Sequence, residues 1–124
     1  MNAYFLVFLG GGLGAVCRHA VGVAVTRLAG MAFPYGTLAV NIIGSFAMGL
    51  LIAWLARRSG GDTHLRLLLA TGFLGGFTTF SAFSLDVATL YERGALTAAA
   101  AYVIASVAVS IVALFSGLWL VRQL

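Results

Sequence analysis

Only three short stretches interrupt an otherwise apolar sequence: Gly30–Pro34, Arg57–His64 and Tyr91–Gly94. Between them lie four runs, at about residues 3–28, 35–56, 65–90 and 95–121. A hydrocarbon core of roughly 30 Å needs about 20 mostly apolar residues per helix, and all four runs qualify. The chain is 62% hydrophobic and 8% charged over 124 residues. A soluble fold of this size buries little more than half of what its unfolded chain exposes, too little to hide such a surface. The expectation is an all-α integral membrane protein, a single domain over residues 1–124 with four transmembrane helices. Loops this short make successive helices antiparallel neighbours and leave both termini on one side.

Charge narrows the function. The net charge is +4, but the arginines are scattered and form no basic footprint, which argues against nucleic acid. Arg57-Arg58 closes an apolar run, a common place for positive charge in membrane proteins. Arg57, Arg58, Arg66 and Arg122 fall on the terminal side and Arg27 and Arg93 on the other. Four against two specifies orientation weakly by the positive-inside rule. One fixed orientation, termini inside, and insertion both ways to give an antiparallel dimer are equally compatible with it. The start Met1-Asn2-Ala3-Tyr4 lacks the basic region of a secretory signal, so the first run reads as a retained span. A lone Cys17 forms no disulfide framework.

Much of the glycine lies inside the spans. Gly10/Gly14 and Gly72/Gly76 have four-residue spacing, and Ser45/Gly49 is a further small pair. In lipid, small residues let helix backbones approach closely, and packing replaces the hydrophobic drive. Four thin helices enclose little, so a chain this short with a small-residue core points to self-association.

The third run carries the strongest functional signal, from Gly72 to Ser84. A continuous helix over Leu65–Leu90 would measure about 39 Å, and its midpoint falls near Phe77-Thr78. Each glycine weakens a helix by about 1 kcal/mol relative to Ala, so Gly72, Gly75 and Gly76 predict a break at bilayer depth. Irregular backbone is tolerated there only where protein buries it or a watery path runs beside it. Carbonyls released by a break are suited to a hard cation such as Na⁺. An intact, closely packed glycine-rich helix is the alternative.

Just beyond, Phe80 and Phe83 are three apart and predict a shared helix face. An aromatic ring has a positive edge, which can stabilise a small anion without trapping it. Thr79, Ser81 and Ser84 interleave hydroxyl donors. The fourth run carries Tyr102, Ser106 and Ser110 at four-residue spacing, and the second carries Thr37 and Asn41. A hydroxyl can satisfy itself on the preceding turn, whereas the Asn41 amide must find partners for both its donors and its acceptor. Arg18, a charge at depth, reads as a snorkelling side chain or a positive vestibule. Asp86 reads as a capping group or an arginine partner. His19 and His64 lack a second ligand at metal spacing. No nucleophile–base–acid constellation appears, so an enzyme is not expected.

These residues resemble the Fluc (CrcB-type) fluoride channel family over essentially the whole chain. The resemblance rests on Gly11-Gly12-Leu13-Gly14-Ala15-Val16-Cys17-Arg18-His19, on Gly36 to Phe46, and on Gly72 to Phe83. It implies a bacterial inner-membrane, dual-topology antiparallel homodimer that exports fluoride passively and so relieves its toxicity. It further implies a structural Na⁺ at the dimer centre, held by the backbone carbonyls of Gly75 and Thr78 from both subunits. Phe80 and Phe83 would give ring edges to the ion, with Asn41 near a pore end. Thr37, Thr79, Ser81, Ser84, Tyr102, Ser106 and Ser110 would form the polar path, and Arg18 the vestibule. His19, Ala82, Asp86 and Leu114 stand where the family commonly has Tyr, Thr, Glu and a hydroxyl. The competing reading is a four-helix proton-coupled drug exporter, which needs a membrane-embedded carboxylate; Asp86 is the sole acid inside a span. A structural anchor subunit would explain the packing but not Asn41 or the hydroxyl cluster.

Overall fold

The computed structural model describes residues 2–58 and 62–124. Residues 59–61 of the expected polar loop lie outside the described residues, as does Met1 of the non-basic start. Helix α1 spans Ala3–Ala29 and is capped by Asn2, whose side-chain oxygen accepts from the Tyr4 amide at 2.7 Å. It stops at Gly30, where φ is 83°, a left-handed conformation glycine adopts without a side-chain clash. Helix α2 follows over Tyr35–Arg57.

The third span has parts. A short α3 (Thr63–Leu65), capped by Asp62, leads into a π-helical stretch at Arg66–Leu74 and then α4 (Gly75–Phe77). Thr78 (φ −89°, ψ 158°) and Thr79 (φ −153°, ψ 121°) are extended. Helix α5 restarts at Phe80 and runs to Glu92, and α6 covers Leu96–Arg122. Four helical segments, Ala3–Ala29, Tyr35–Arg57, Thr63–Glu92 and Leu96–Arg122, are long and apolar enough to cross a membrane. The protein is a multi-pass membrane protein.

Two arginines tie the ends together. Arg57 Nη1 donates to the Val121 carbonyl at 2.9 Å, joining the last turns of α2 and α6. Arg93 Nη2 donates to the Ala32 carbonyl at 2.9 Å, joining the α1–α2 and α5–α6 turns. The arginines therefore divide between the ends as the loop order requires.

The span glycines serve packing. A Cβ on Gly10 would meet the Leu68 carbonyl and the Phe73 amide, one on Gly14 the Phe73 carbonyl, and one on Gly76 the Gly11 carbonyl. Helix α1 and the first half of the third span thus touch backbone to backbone. Gly49 and Gly117 do the same between α2 and α6, against Leu114 and Phe46. A buried cluster of Phe83, Leu90, Ala99 and Tyr102, flanked by Phe33, Leu38 and Val87, joins α5 to α6 and the α1–α2 turn. Outward lie large apolar residues such as Leu13, Ile104, Val112 and Phe115, the surface a lipid-solvated helix requires.

Candidate functional site

The break falls at Thr78-Thr79, and the glycines do not form it: Gly75 and Gly76 remain in α4 and Gly72 in the π stretch. Long-range contacts hold it open. Asn41, on α2, reaches the break with its amide. Its Oδ1 accepts from the Thr79 N–H at 2.8 Å and its Nδ2 donates to the Thr79 carbonyl at 3.0 Å. The Thr79 amide, which a continuous helix would aim at the Gly75 carbonyl, is therefore diverted. The Ala82 amide, which would close on Thr78, instead meets Thr79 Oγ1 at 3.1 Å, a helix N-cap interaction. Arg18 supplies a third substitute, with Nε donating to the Gly76 carbonyl at 3.0 Å. The carbonyls of Gly75 and Thr78 lose their usual ladder donors, while the N-terminus of α5, the positive end of its dipole, starts at the same level.

Two cavities meet at this point. The inner one, about 370 Å³, is lined by Asn41, Ser45, Thr79, Phe80, Phe83, Ser106 and Ser110, among others. Phe80 and Phe83 lie 5.4 Å apart, centroid to centroid, with rings tilted by 51°. They do not share one environment: Phe83 is 8% exposed and Phe80 is 77% exposed on the outer face of the chain. The hydroxyls of Ser106 and Ser110 are buried and have no hydrogen-bond partner among the described residues. Sequence reasoning left open that each serine satisfies itself on the preceding turn; here neither does. Leu114 continues the lining beyond Ser110 without a donor.

The outer cavity, about 570 Å³, opens among α1, α2 and α5, and its walls include Arg18, Thr37, Thr79 and Asp86. Tyr102 is wholly buried between the Phe83 wall of one cavity and the Phe33 wall of the other. Its ring lies 5.4 Å from Phe33, edge-on, and 5.2 Å from Phe83. Its hydroxyl donates to Asp86 Oδ2 at 2.9 Å. Among the described residues, Asp86 thus neither caps a helix nor pairs with an arginine. No local spacing marks the Tyr102–Asp86 bond, because the two residues sit on different helices.

Asn41, Thr79, Phe80, Phe83, Ser106 and Ser110 gather around one space, and Arg18 and Thr37 around its neighbour. Two residues stand apart. Ser81 is exposed, within 3.3 Å of Thr79 Oγ1, and Ser84 donates to the Phe80 carbonyl at 3.0 Å on the outer face of α5. The site offers hydroxyls, an amide, ring edges and a helix N-terminus, with carbonyls on the other side of the break. That set suits small ions, and it contains no nucleophile beside a base.

Comparison with known proteins bears on this arrangement. A family model described as "CrcB-like protein, Camphor Resistance (CrcB)" matches residues 5–118. A protein of Chelativorans sp. (strain BNC1) named fluoride-specific ion channel FluC is 65% identical over 124 residues, covering 100% of this chain and 99% of the relative. Relatives of the same name come from Mesorhizobium japonicum, 60% identical over 96% of this chain and 95% of the relative, and Rhodopseudomonas palustris (strain BisB5), 55% identical over 98% of each.

Proposed function

The chain belongs to the CrcB family, a family of ion channels and not of enzymes, and we propose on that premise that it conducts fluoride across the membrane. The observation that carries the reading is the pair of buried, unpartnered hydroxyls, Ser106 and Ser110, in a cavity walled by Phe80 and Phe83. Unpaired buried donors are costly and rare, and an anion that passes through would be their partner. Fluoride is small and holds its water tightly, so a path must replace hydration with several weak donors in turn; tight binding would stall conduction. The amide, hydroxyls and ring edges are such donors. Fluoride would collect in the outer cavity near Arg18 and Thr37, pass the level of Thr79 and Asn41, and run along Phe80, Phe83, Ser106 and Ser110. Tyr102 would adjoin the path from behind, and Ser81 and Ser84 would serve it from the exposed face of α5.

We read the transport as passive export from the cytoplasm through the inner membrane. The assembly is an antiparallel homodimer of both insertions, a reading supported by the exposed face of the break. Phe80 and Gly75 both lie open on the single chain, and the arginines of the two ends give little orientational bias. Na⁺ fits the donor set, since Gly75 and Thr78 have carbonyls freed of ladder amides. Those of two subunits would hold it, and the ion would neutralise their facing dipoles. Asp86 supports the exporter reading less well, because a phenol already occupies its carboxylate.

The test is fluoride-electrode efflux from liposomes holding the purified protein, with chloride as the control anion. Rapid fluoride efflux with negligible chloride efflux is expected; no fluoride efflux, or equal rates, would overturn the reading. Sodium removed from both sides should slow fluoride efflux, and indifference to it would remove the Na⁺ site alone.

A further inference from the structure

The outer cavity carries more positive charge than the path described above uses. Arg18 is anchored, its Nε committed to the Gly76 carbonyl. Further along α1, His19 and Arg27 line the same cavity, and both are exposed. From α2 the cavity receives the Thr37 and Tyr35 hydroxyls, and from α5 the carboxylate of Asp86. Among the described residues no other charged or titratable side chain lines it. Two guanidiniums against one carboxylate leave the lining net positive. The positive groups also differ in depth: Arg18 is tied at the break, while Arg27 stands two to three turns away, toward Gly30 and the helix end.

We propose that Arg27 is an outer collecting charge, which concentrates small anions in the cavity ahead of Arg18 and makes their capture depend on ionic strength. The proposal rests on the fluoride-channel reading and deepens it by naming a residue that sets capture. Walls of one sign of charge raise the local concentration of a counter-ion and its on-rate, and salt removes the effect. A unit charge about 10 Å from an ion in water alters its local concentration about twofold. Such an effect survives at about 0.01 M ionic strength, where the screening length is about 30 Å. It is lost at about 1 M, where that length is about 3 Å.

The experiment measures fluoride flux through the full-length protein in liposomes at low fluoride, with flux from protein-free liposomes subtracted. At about 0.01 M ionic strength, Arg27→Gln should carry about half the wild-type flux and Arg27→Lys should match the wild type; at about 1 M the variants should converge. Arg27→Gln equal to the wild type at low ionic strength would overturn the proposal, as would Arg27→Lys as slow as Arg27→Gln. If Arg27→Gln does not assemble, the wild type decides, since flux indifferent to ionic strength would also refute capture by charge. A wild type that carries no fluoride sinks the channel reading itself, a distinguishable failure.

Discussion

The double hydrogen bond from Asn41 to Thr79 gives a sharp way to test what holds the third span open. Truncating Asn41→Ala removes the acceptor for the Thr79 N–H and the donor to its carbonyl, at 2.8 and 3.0 Å. A buried polar group left unpaired costs about 1–3 kcal/mol, whereas hydrogen bonds within membrane proteins average about 0.6 kcal/mol by double-mutant cycles. Two bonds thus bracket the loss between about 1 and 6 kcal/mol. Asn41 is half-buried and borders a cavity, so water compensates part of it, and about 2 kcal/mol is the expected figure. The assay is unfolding in mixed micelles against a control, Val112→Ala, whose side chain is 63% exposed on α6. Asn41→Ala should be about 2 kcal/mol less stable than that control and should lose most of its fluoride flux. Asn41→Asp keeps the acceptor but not the donor, and should fall between in stability. The reasoning fails if Asn41→Ala is as stable as the control. A flux loss without a stability loss would make the amide a ligand of the passing ion and not the clamp of the break.

Ser106→Ala and Ser110→Ala should separate stability from function: deleting an unpartnered buried hydroxyl leaves stability unchanged or raises it by up to about 1 kcal/mol, while fluoride flux falls at least tenfold. Wild-type flux in both variants would refute a role for the hydroxyls. Gly14→Ala should cost about 3 kcal/mol or more, because its Cβ would meet the Phe73 carbonyl, whereas Gly12→Ala, with nothing within 4 Å, should be silent. Comparable yields of folded protein from both would undo the backbone-contact account of α1. Asp86→Asn keeps an acceptor for the Tyr102 hydroxyl and should retain fluoride flux within about threefold, since the bond is preserved with a neutral partner. Loss of a proton-dependent drug-resistance phenotype in the same variant would favour an exporter.

What could be read from the sequence followed what is local in the physics. Hydropathy is a property of consecutive residues, so the four spans begin and end within two residues of their expected bounds. The interruption of the third span was legible too, but its cause was not. Gly72, Gly75 and Gly76 weaken a helix wherever they stand, yet here the missing side chains of Gly72 and Gly76 admit the backbone of Gly10 and Gly11, and the helix stays wound through all three. The chain leaves helical geometry where outside partners take over the ladder: Asn41, 38 residues away, Arg18, 58 residues away, and the Thr79 cap. Only that cap has a local signature, a threonine three residues ahead of the amide it accepts from.

The same distinction sorts the site. Ser106 and Ser110 lie four apart on one helix, so their shared face was readable, and it turns inward. Phe80 and Phe83 are also close in sequence, but a three-residue step rotates a helix by about 300°, which suffices to bury one ring and expose the other. Ser84, one turn beyond Phe80, goes outward with it. The π stretch from Arg66 to Leu74 had no cue at all; it coincides with the contact of Gly72 against Gly10 and Gly11. A close crossing of two backbones is a property of the pair, so neither segment alone records it. The exposed ring of Phe80 follows the same logic one level up. A large aromatic beside freed carbonyls at bilayer depth is half of a contact, and a second chain would supply the remainder.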